Sequence, residues 1–360
     1  MNHATPHRSG PVTRALLVLA LLLGTACSAT GCTSDSPGHT TLTVLASSEL
    51  ADLRPLLDEL RRDTGITLDL EYRGTVDASS VLGSGRSGGP DLAWLSSDRW
   101  LRLDLKEAGS TTRPVVTTRT MMSPLVIGVK RAAADRLRQD GGTGVSWADI
   151  ARAAARGSLG YALADPNLTN SGLGALVAVA TADAGTGEAL RPEDVTRDPL
   201  RGFLNGRVLT APTTGALVEA YVDRQDGTDA LIAYESDLLT LNAGGRLREP
   251  LELVYPRDGI VLSDFPLLLL DPAKRAAYDR VAAWLLTPAA QKRIMQLTLR
   301  RPVDPTVPRD PRLERPIGNA LYFPDQPEVV RRLLAHYTAD TSPPLPAVRP
   351  TLPAGPAPSS

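Results

Sequence analysis

Apolar residues along this chain change their spacing at regular intervals, which predicts alternating strands and helices. Short apolar runs at 42–45, 66–72 and 92–95 are typical of strands, and the second of them alternates apolar and polar positions. Between the first two, leucines within 53–60 recur at i, i+3, i+4 and i+7, the spacing of an amphipathic helix, and Asp52 is its expected N-cap. A strand, a helix and a strand with short connections predict a parallel βαβ unit.

The same alternation continues through the middle of the chain and predicts an α/β protein of two lobes. A capping box beginning at Ser146 and the motif TNSG each open a helix, and apolar faces predict further helices around Leu217 and over 278–285. Further strands are expected at 125–129, 163–165, 230–234, 251–255 and 265–270. The proline-rich segment 341–360 lacks apolar periodicity, so we expect a disordered or extended tail there.

Residues 1–32 have the pattern of an export signal. Two arginines precede an unbroken apolar run at 15–23, which is too short to span a hydrocarbon core about 30 Å thick. Small residues follow, and then Cys27 and Cys32; a cysteine in this place resembles the lipobox of bacterial lipoproteins. We expect Cys32 to be lipidated, with Cys27 as the alternative, and 33–40 to form a tether. An ordinary secretory signal with incidental cysteines is the competing interpretation.

Cysteine and histidine usage narrows the chemistry of the mature body. Both cysteines lie in the export segment, so the body contains neither a disulfide nor a cysteine-ligated metal site. Three of the four histidines precede residue 40 and His336 lies near the tail, so no histidine triad or zinc hydrolase site is expected. A formal net charge of −1 gives no electrostatic reason to expect nucleic acid as a partner. We therefore expect no enzyme, no metal and no cofactor.

Small polar residues follow the predicted strands with unusual regularity. Ligands of parallel α/β sheets bind beyond the carboxyl ends of the strands, where helix N-termini present free N–H groups. Hydroxyls and amides there can hold a small polar or anionic solute without a counter-charge. Each residue also has an ordinary explanation as a helix N-cap. The clusters are Ser47 and Ser48, Gly74 and Thr75, Ser96 and Ser97, Thr169 to Ser171, Thr213 and Thr214, and Glu235 with Ser236.

Other polar features carry less chemistry. The glycine-rich segment 82–91 precedes a strand and lacks a following GKS or GKT, so it is interpreted as a flexible connection rather than a phosphate loop. Glu235, Asp237 and Asp264 have no evident acid–base partner in the sequence, and no convergent arginine clamp is apparent. Asp258 and the glycine after it, between two strands, form a candidate hinge.

Several motifs resemble those of bacterial extracellular solute-binding proteins over about residues 42–337. They are ASSELADLRPLL, PDLAWLSSDRWLRL, TMMSPLVIGV, DPNLTNSGLGALVAVA, IAYESDLLTLN, LVYPRDGIVLSDFPLLLL and QKRIMQLTLRRPV. The closest likeness is to the solute-binding module of lipoproteins that often also carry a von Willebrand A domain. The D-x-S-x-S metal motif of that domain is absent from the sequence, so metal-dependent adhesion is not carried over.

The resemblance implies a class II periplasmic-binding fold, in which two α/β lobes close on a ligand about two crossover strands. Lobe I would be 41–124 plus 259–340 and lobe II 125–258, with crossovers near 122–127 and 255–263. Ligand contacts are expected at Ser47, Ser48, Thr75, Ser96, Ser97, Asn170, Ser171, Thr214, Tyr234 and Glu235.

The function implied is that of a monomeric, lipid-anchored protein at the outer face of the cytoplasmic membrane. It would deliver a small polar or anionic solute to an ABC-type permease. An envelope sensor or scaffold with the same fold is the alternative.

Overall fold

The computed structural model describes residues 40–84, 89–107, 114, 116–141 and 144–340. The expected export signal, both cysteines, most of the tether and the proline-rich tail lie outside the described residues. Within the described chain, no helix is both long enough and apolar enough to span a membrane.

Strands alternate with helices along the described chain, as the hydrophobic pattern predicts. The strands are β1 (Thr40–Ser47), β2 (Ile66–Arg73), β3 (Leu92–Trp94), β4 (Val116–Arg119), β5 (Met121–Val129), β6 (Tyr161–Ala164), β7 (Arg207–Ala211), β8 (Ala230–Tyr234), β9 (Glu252–Val254), β10 (Leu262–Ser263), β11 (Pro266–Leu269) and β12 (Arg301–Pro302).

The α-helices are α1 (Arg54–Thr64), α2 (Thr75–Gly83), α3 (Arg99–Glu107), α4 (Arg131–Gly141), α5 (Trp147–Ala155), α6 (Asn170–Ala184), α7 (Arg197–Asn205), α8 (Thr214–Asp223), α9 (Glu235–Ala243), α10 (Arg275–Leu285), α11 (Pro288–Thr298) and α12 (Pro327–Ala339). Short 3₁₀ helices cover Ser48–Leu53, Pro192–Asp194, Pro272–Lys274 and Pro311–Leu313.

The first lobe is built on a sheet with the strand order β2–β1–β3–β11–β4. β1 is parallel to β2 and β3, whereas β11 is antiparallel to β3 and β4. Alternate residues of β1 point to opposite faces: Leu42 and Val44 pack with α1 and α10, and Leu45 packs with α2 and α3. Both faces of β1 are therefore covered by helices, which explains why Val44, Leu45 and Ala46 are apolar and buried at consecutive positions.

The second lobe has the order β10–β5–β8–β6–β7, with β9 and β12 also paired to β5. β6 is parallel to β7 and β8, and β5 is antiparallel to β8. Its two faces separate in the same way: Val126, Ala162 and Ala164 pack with α8 and α9, while Tyr161 and Leu163 pack with α5, α6 and α7. The predicted α/β architecture of two lobes is confirmed.

β5 is one of the two crossover strands. Its beginning pairs with β12 and with β10, at Ser123↔Ser263, and its end pairs with β8 and β9 in the second sheet. β10 runs beside it in the opposite direction, and the chain then enters β11 of the first sheet. β5 covers the first expected crossover, whereas only 262–263 of the second expected crossover is strand, and the residues around Asp258 form a turn.

The C-terminal helix departs from the expected lobe division. Val329, Val330, Leu333 and Tyr337 of α12 are buried in the same apolar cluster as α6 and α7. By its contacts this helix packs mainly on the second lobe, whereas the sequence assigned 259–340 as a whole to the first. The apolar face of α12 complements the second lobe, and the segment after β12 returns the chain there through a bridge between Ile260 and Ala320. The other boundaries stay predictions.

The candidate hinge at Asp258 is part of a fixed turn. Its carboxylate accepts hydrogen bonds from the backbone N–H groups of Trp147 (2.9 Å) and Ala148 (3.3 Å) at the start of α5. Gly259 has φ 137°, and a Cβ there would lie 2.2 Å from Leu321 Cδ2. This turn is therefore anchored to α5 by an aspartate that complements the helix N-terminus.

Candidate functional site

The carboxyl ends of the parallel strands in both lobes lead into helix N-termini. β1 leads into the 3₁₀ helix Ser48–Leu53 and β2 into α2 in the first lobe, while β7 leads into α8 and β8 into α9 in the second. Hydrogen bonds join residues at these ends across the two lobes. Such an edge presents free N–H groups and small polar side chains to the space between the lobes.

Four predicted site residues lie together in a first buried network. Thr75 Oγ1 and Ser96 Oγ of the first lobe lie 2.7 Å apart, and Ser96 adjoins the Tyr234 phenol of the second lobe. Asn170 Nδ2 donates to Tyr234 Oη (2.9 Å) and to Ser263 Oγ on β10 (3.0 Å). Burial raises the pKa of Tyr234 well above its usual value, so the phenol stays protonated and able to donate.

A second network lies beside the first, because Ser171 follows Asn170. Ser171 Oγ and Thr214 Oγ1 are 2.9 Å apart, and Thr214 Oγ1 donates to Glu49 Oε1 at 2.9 Å. Glu49 is on the first lobe and Thr214 on the second, so this bond also joins the lobes. We did not predict Glu49 as a site residue, although it directly follows the predicted Ser48.

The lobes also meet through their backbones. The N–H groups of Val76 and Asp77, in the first turn of α2, donate to the carbonyl of Leu168 in the second lobe at 3.0 and 3.3 Å. A Cβ on Gly74 would lie 2.3 Å from that carbonyl oxygen. Glycine at position 74 therefore permits a close approach that a side chain would block.

Capping and site positions fall on neighbouring residues. Thr169 Oγ1 accepts from Gly172 N–H, and Thr213 Oγ1 accepts from Ala216 N–H, each at 3.1 Å, so these threonines are the N-caps of α6 and α8. Asn170 and Thr214 come one residue later and bond to other elements instead. In each motif one residue therefore caps the helix, and the next residue takes part in the site.

The remaining predicted serines lie at the margin of the networks. Ser47 Oγ is buried and has no hydrogen-bond partner in the described part of the chain. Ser48 is half-buried, at the first position of its 3₁₀ helix. Ser97 Oγ accepts from Arg99 N–H at 3.3 Å, a local bond at the start of α3.

Glu235 is not the isolated carboxylate expected from the sequence. Its side chain is fully buried, and Arg301 Nε and Nη2 donate to its two oxygens at 2.7 and 2.8 Å. The Tyr255 hydroxyl also donates to it. Because both oxygens are engaged, this carboxylate supports the start of α9 and contributes no free group to the two networks. The partner of Glu235, Arg301, is 66 residues away, so the local sequence does not reveal this ion pair.

A second buried arginine adjoins the networks. Arg300 Nη1 donates to both oxygens of Asp52 (2.8 and 2.9 Å), and Nη2 donates to the carbonyl of Glu49 (2.7 Å). The guanidinium lies over the Phe265 ring, 4.9 Å from its centroid. Asp237 is close enough to interact electrostatically with Arg300, so it is not isolated either. The two consecutive arginines in QLTLRRPV are the sequence feature that could have indicated these buried ion pairs.

Asp237 has an unusual protonation equilibrium. Its Oδ2 is buried without a hydrogen-bond partner among the described atoms, and burial raises its pKa to about 7. Arg300 opposes this shift, whereas the nearby Glu49 and Asp52 carboxylates add to it. Asp264, in contrast, is paired with Arg119 at 2.9 Å. Over the described residues, no cluster of three or more histidine, cysteine or acidic side chains is arranged as a metal site.

The sequence matches the family of bacterial extracellular solute-binding proteins over residues 42–296. The chain belongs to this family. The resemblance expected from the motifs is confirmed, and the family is one of binding proteins. No match was found among curated proteins.

Solved structures show the same fold at low sequence identity. The sulfate-binding protein SubI from Mycobacterium tuberculosis is 20% identical, with a TM-score of 0.57, over 79% of this chain and 94% of its own. AfuA from Actinobacillus pleuropneumoniae, a periplasmic binding protein with fructose-6-phosphate bound, is 13% identical, with a TM-score of 0.62, over 84% and 98%. A two-component system protein described as mediating signal transduction is 20% identical, with a TM-score of 0.55, over 80% and 97%.

Proposed function

We propose that this solute-binding protein captures a small polar solute between its lobes and is not an enzyme. The observation that carries the proposal is the convergence of predicted ligand residues from both lobes in two adjoining buried networks. Thr75 and Ser96 come from the first lobe, and Asn170, Ser171 and Thr214 from the second. Groups that meet only when the lobes close would hold a solute more tightly in the closed state than in the open one.

The protein's place in the cell completes the proposal. Export by the signal at 1–32 and lipidation at Cys32, or alternatively at Cys27, would tether the lobes to the outer face of the cytoplasmic membrane. From there a monomer would present its solute to an ABC-type permease. The family match supports the export and the solute, and the lipobox-like motif supports the anchor.

Thermal unfolding tests the proposal directly. Residues 40–340, refolded from denaturant to remove carried-over solute, would be screened against oxyanions, sugars, amino acids and metal chelates. A ligand that binds only the folded state raises the melting temperature by mass action. At a concentration of 100 times its Kd, it increases the free energy of unfolding by about 2.7 kcal/mol. We expect one chemical class to raise the melting temperature in a concentration-dependent way.

A pair of serine variants provides the matched control. Ser171 lies in the second network and Ser80 is exposed on α2, where it bonds to the Val76 carbonyl. We expect S171A to weaken the response to the active class and S80A to preserve it. A flat response of the refolded wild type to all four classes would refute solute capture.

An envelope sensor is the second candidate, favoured by the fold shared with the two-component system protein. In that case the closed lobes would be read by a partner protein, and the tail at 341–360 would contribute to the contact. Capture of envelope partners by the full chain and by a chain ending at residue 340 compares the two. Equal recovery would argue against a role for the tail.

A further inference from the structure

We infer that Glu49 makes the site select against anions and in favour of a solute that carries no net negative charge and offers an N–H or O–H donor. Amines, ammonium compounds and polyols are the chemical classes concerned. The inference rests on the proposed function, because it names the solute class of the same cleft. It narrows the expectation of a polar or anionic solute that the sequence alone supported.

The Glu49 carboxylate is buried where two helices of the opposite lobe begin. Glu49 is 8% exposed, and its Oε1 accepts from Thr214 Oγ1 of the opposite lobe at 2.9 Å. Thr214 is the first residue of α8 and is bonded to Ser171 in the first turn of α6. The carboxylate therefore lies at the convergence of two helix N-termini, where an oxyanion would otherwise be stabilised.

The nearby arginine side chains are already paired with other carboxylates. The buried arginines of the described chain are Arg300 and Arg301. Arg301 is neutralised by Glu235, and Arg300 is paired with Asp52 through both oxygens of that carboxylate. Arg300 donates to the Glu49 backbone carbonyl and interacts electrostatically with the Glu49 carboxylate. Because its guanidinium is engaged with both Asp52 oxygens, it forms no direct ion pair with the Glu49 side chain.

The buried Glu49 carboxylate determines which charge the site accepts. An anionic solute would place a second negative charge beside a buried carboxylate, and like charges repel strongly where water is excluded. The Glu49 carboxylate accepts from Thr214 Oγ1 on Oε1 at 2.9 Å and from Ser48 Oγ on Oε2 at 3.5 Å. A carboxylate has about four lone-pair sites, so it can also accept from a donor on the solute. The Ser47 hydroxyl, two residues before Glu49, is fully buried and has no hydrogen-bond partner among the described atoms, so it offers a further donor and acceptor at the same strand end.

The test compares two probe pools on three proteins. One pool contains inorganic sulfate, phosphate and citrate; the other contains ethanolamine, putrescine, choline, glucose and glycerol. Wild type, E49Q and E188Q would be followed by thermal unfolding and then by titration with the active probe. Glutamine keeps the shape of the side chain and an oxygen acceptor for Thr214, whereas Glu188 is exposed on the second lobe and matches the charge change.

The expected result is a shift of the wild type with the donor pool alone. E49Q should bind the active probe at least about tenfold more weakly, the effect of losing a charge-assisted hydrogen bond, while E188Q should match the wild type. A wild-type response to the anion pool, or unchanged affinity in E49Q, would overturn the inference and leave solute capture standing. No response of the wild type to either pool would overturn the inference. The proposed function would fall only if the amino acids and metal chelates of the wider screen also gave no response.

Discussion

At the scale of single residues, the site depends on charges that are paired over long distances in the chain. Asp52, the expected N-cap of α1, instead lies in the 3₁₀ helix and binds Arg300, which is 248 residues away. Arg301 likewise neutralises Glu235. Because a buried charge without a partner is strongly unfavourable, each pair fixes its two elements relative to one another.

Asp237, unlike Asp52 and Glu235, is not held in an ion pair by the described residues, and its contribution to stability depends on pH. Its folded-state pKa of about 7 lies above the ordinary 3.8, so folding takes up a proton between these values. The contribution of Asp237 to stability is thus complete below about pH 4 and is lost as the pH rises through 7. Asparagine mimics the protonated acid, so we expect the free energy of unfolding of D237N to exceed that of the wild type increasingly as the pH rises from about 4 to about 7. A shift of one pKa unit corresponds to about 1.4 kcal/mol, so the difference should reach a few kcal/mol at most.

Urea unfolding of both proteins from pH 4.5 to 8 measures the difference. Asp325 is exposed, so D325N serves as the control. The difference in free energy of unfolding between D325N and the wild type should not change comparably with pH. A D237N advantage that stays constant or shrinks with rising pH would contradict the assignment.

At the scale of secondary-structure elements, the same motif serves folding and binding through adjacent residues. In α6 and α8 the side chain of the N-cap threonine accepts from the helix backbone. The following residue bonds to another element: Asn170 to Tyr234 on β8, and Thr214 to Glu49 of the first lobe. A helix N-terminus therefore positions a site side chain at no loss of its own capping bond. This arrangement explains why serine, threonine and asparagine occur in pairs or triplets at the strand ends.

The capping role predicts the effect of T213A. Loss of the bond from Ala216 N–H to Thr213 Oγ1 should lower the free energy of unfolding by about 1 kcal/mol. Thr196 is the N-cap of α7, but its hydroxyl makes no capping bond and donates instead to the exposed Asp183 carboxylate at 2.8 Å. T196A is therefore the control for a threonine that does not cap with its side chain, and it should have a smaller effect. Urea unfolding of the two variants decides the point; equal losses would mean that the Thr213 bond does not stabilise α8.

At the scale of the whole molecule, the closed lobes share one especially close backbone contact. The carbonyl of Leu168 occupies the first turn of α2, and the absent side chain at position 74 makes room for it. Gly74 has φ −65° and ψ 145°, values that alanine also adopts, so a substitution there strains the contact and not the local backbone.

G74A should therefore hold the lobes apart while each lobe stays folded. X-ray scattering should give a larger radius of gyration for G74A than for the wild type, with an unchanged circular dichroism spectrum. G215A is the control, since a Cβ on Gly215 would have no atom within 4 Å. Identical scattering from G74A and the wild type would show that the contact does not limit closure.

The sequence predicted local features well and long-range ones poorly. The expected strand at 230–234 coincides with β8, and the capping box at Ser146 forms as predicted, because spacing and capping are local properties. The segment of α2 has small and polar residues with little apolar periodicity, and it was not predicted as a helix.

The site shows the same division. Hydroxyl-rich strand ends identified residues of both networks, but Glu49 and Arg300 were missed. Their roles depend on partners that only the fold brings near: Thr214 for Glu49, and Asp52 for Arg300. Residue type at a strand end can be read locally, whereas the pairing of charges across the chain cannot.

The two ends of the folded chain have different mechanical attachments. β1 begins in the first lobe, and α12, the last described helix, packs mainly on the second. The distance between Thr40 and Ala339 should consequently change when the lobes open or close, and tension applied between these points would act on that motion. Fluorophores joined at the two positions would convert the protein into a direct optical reporter of lobe closure.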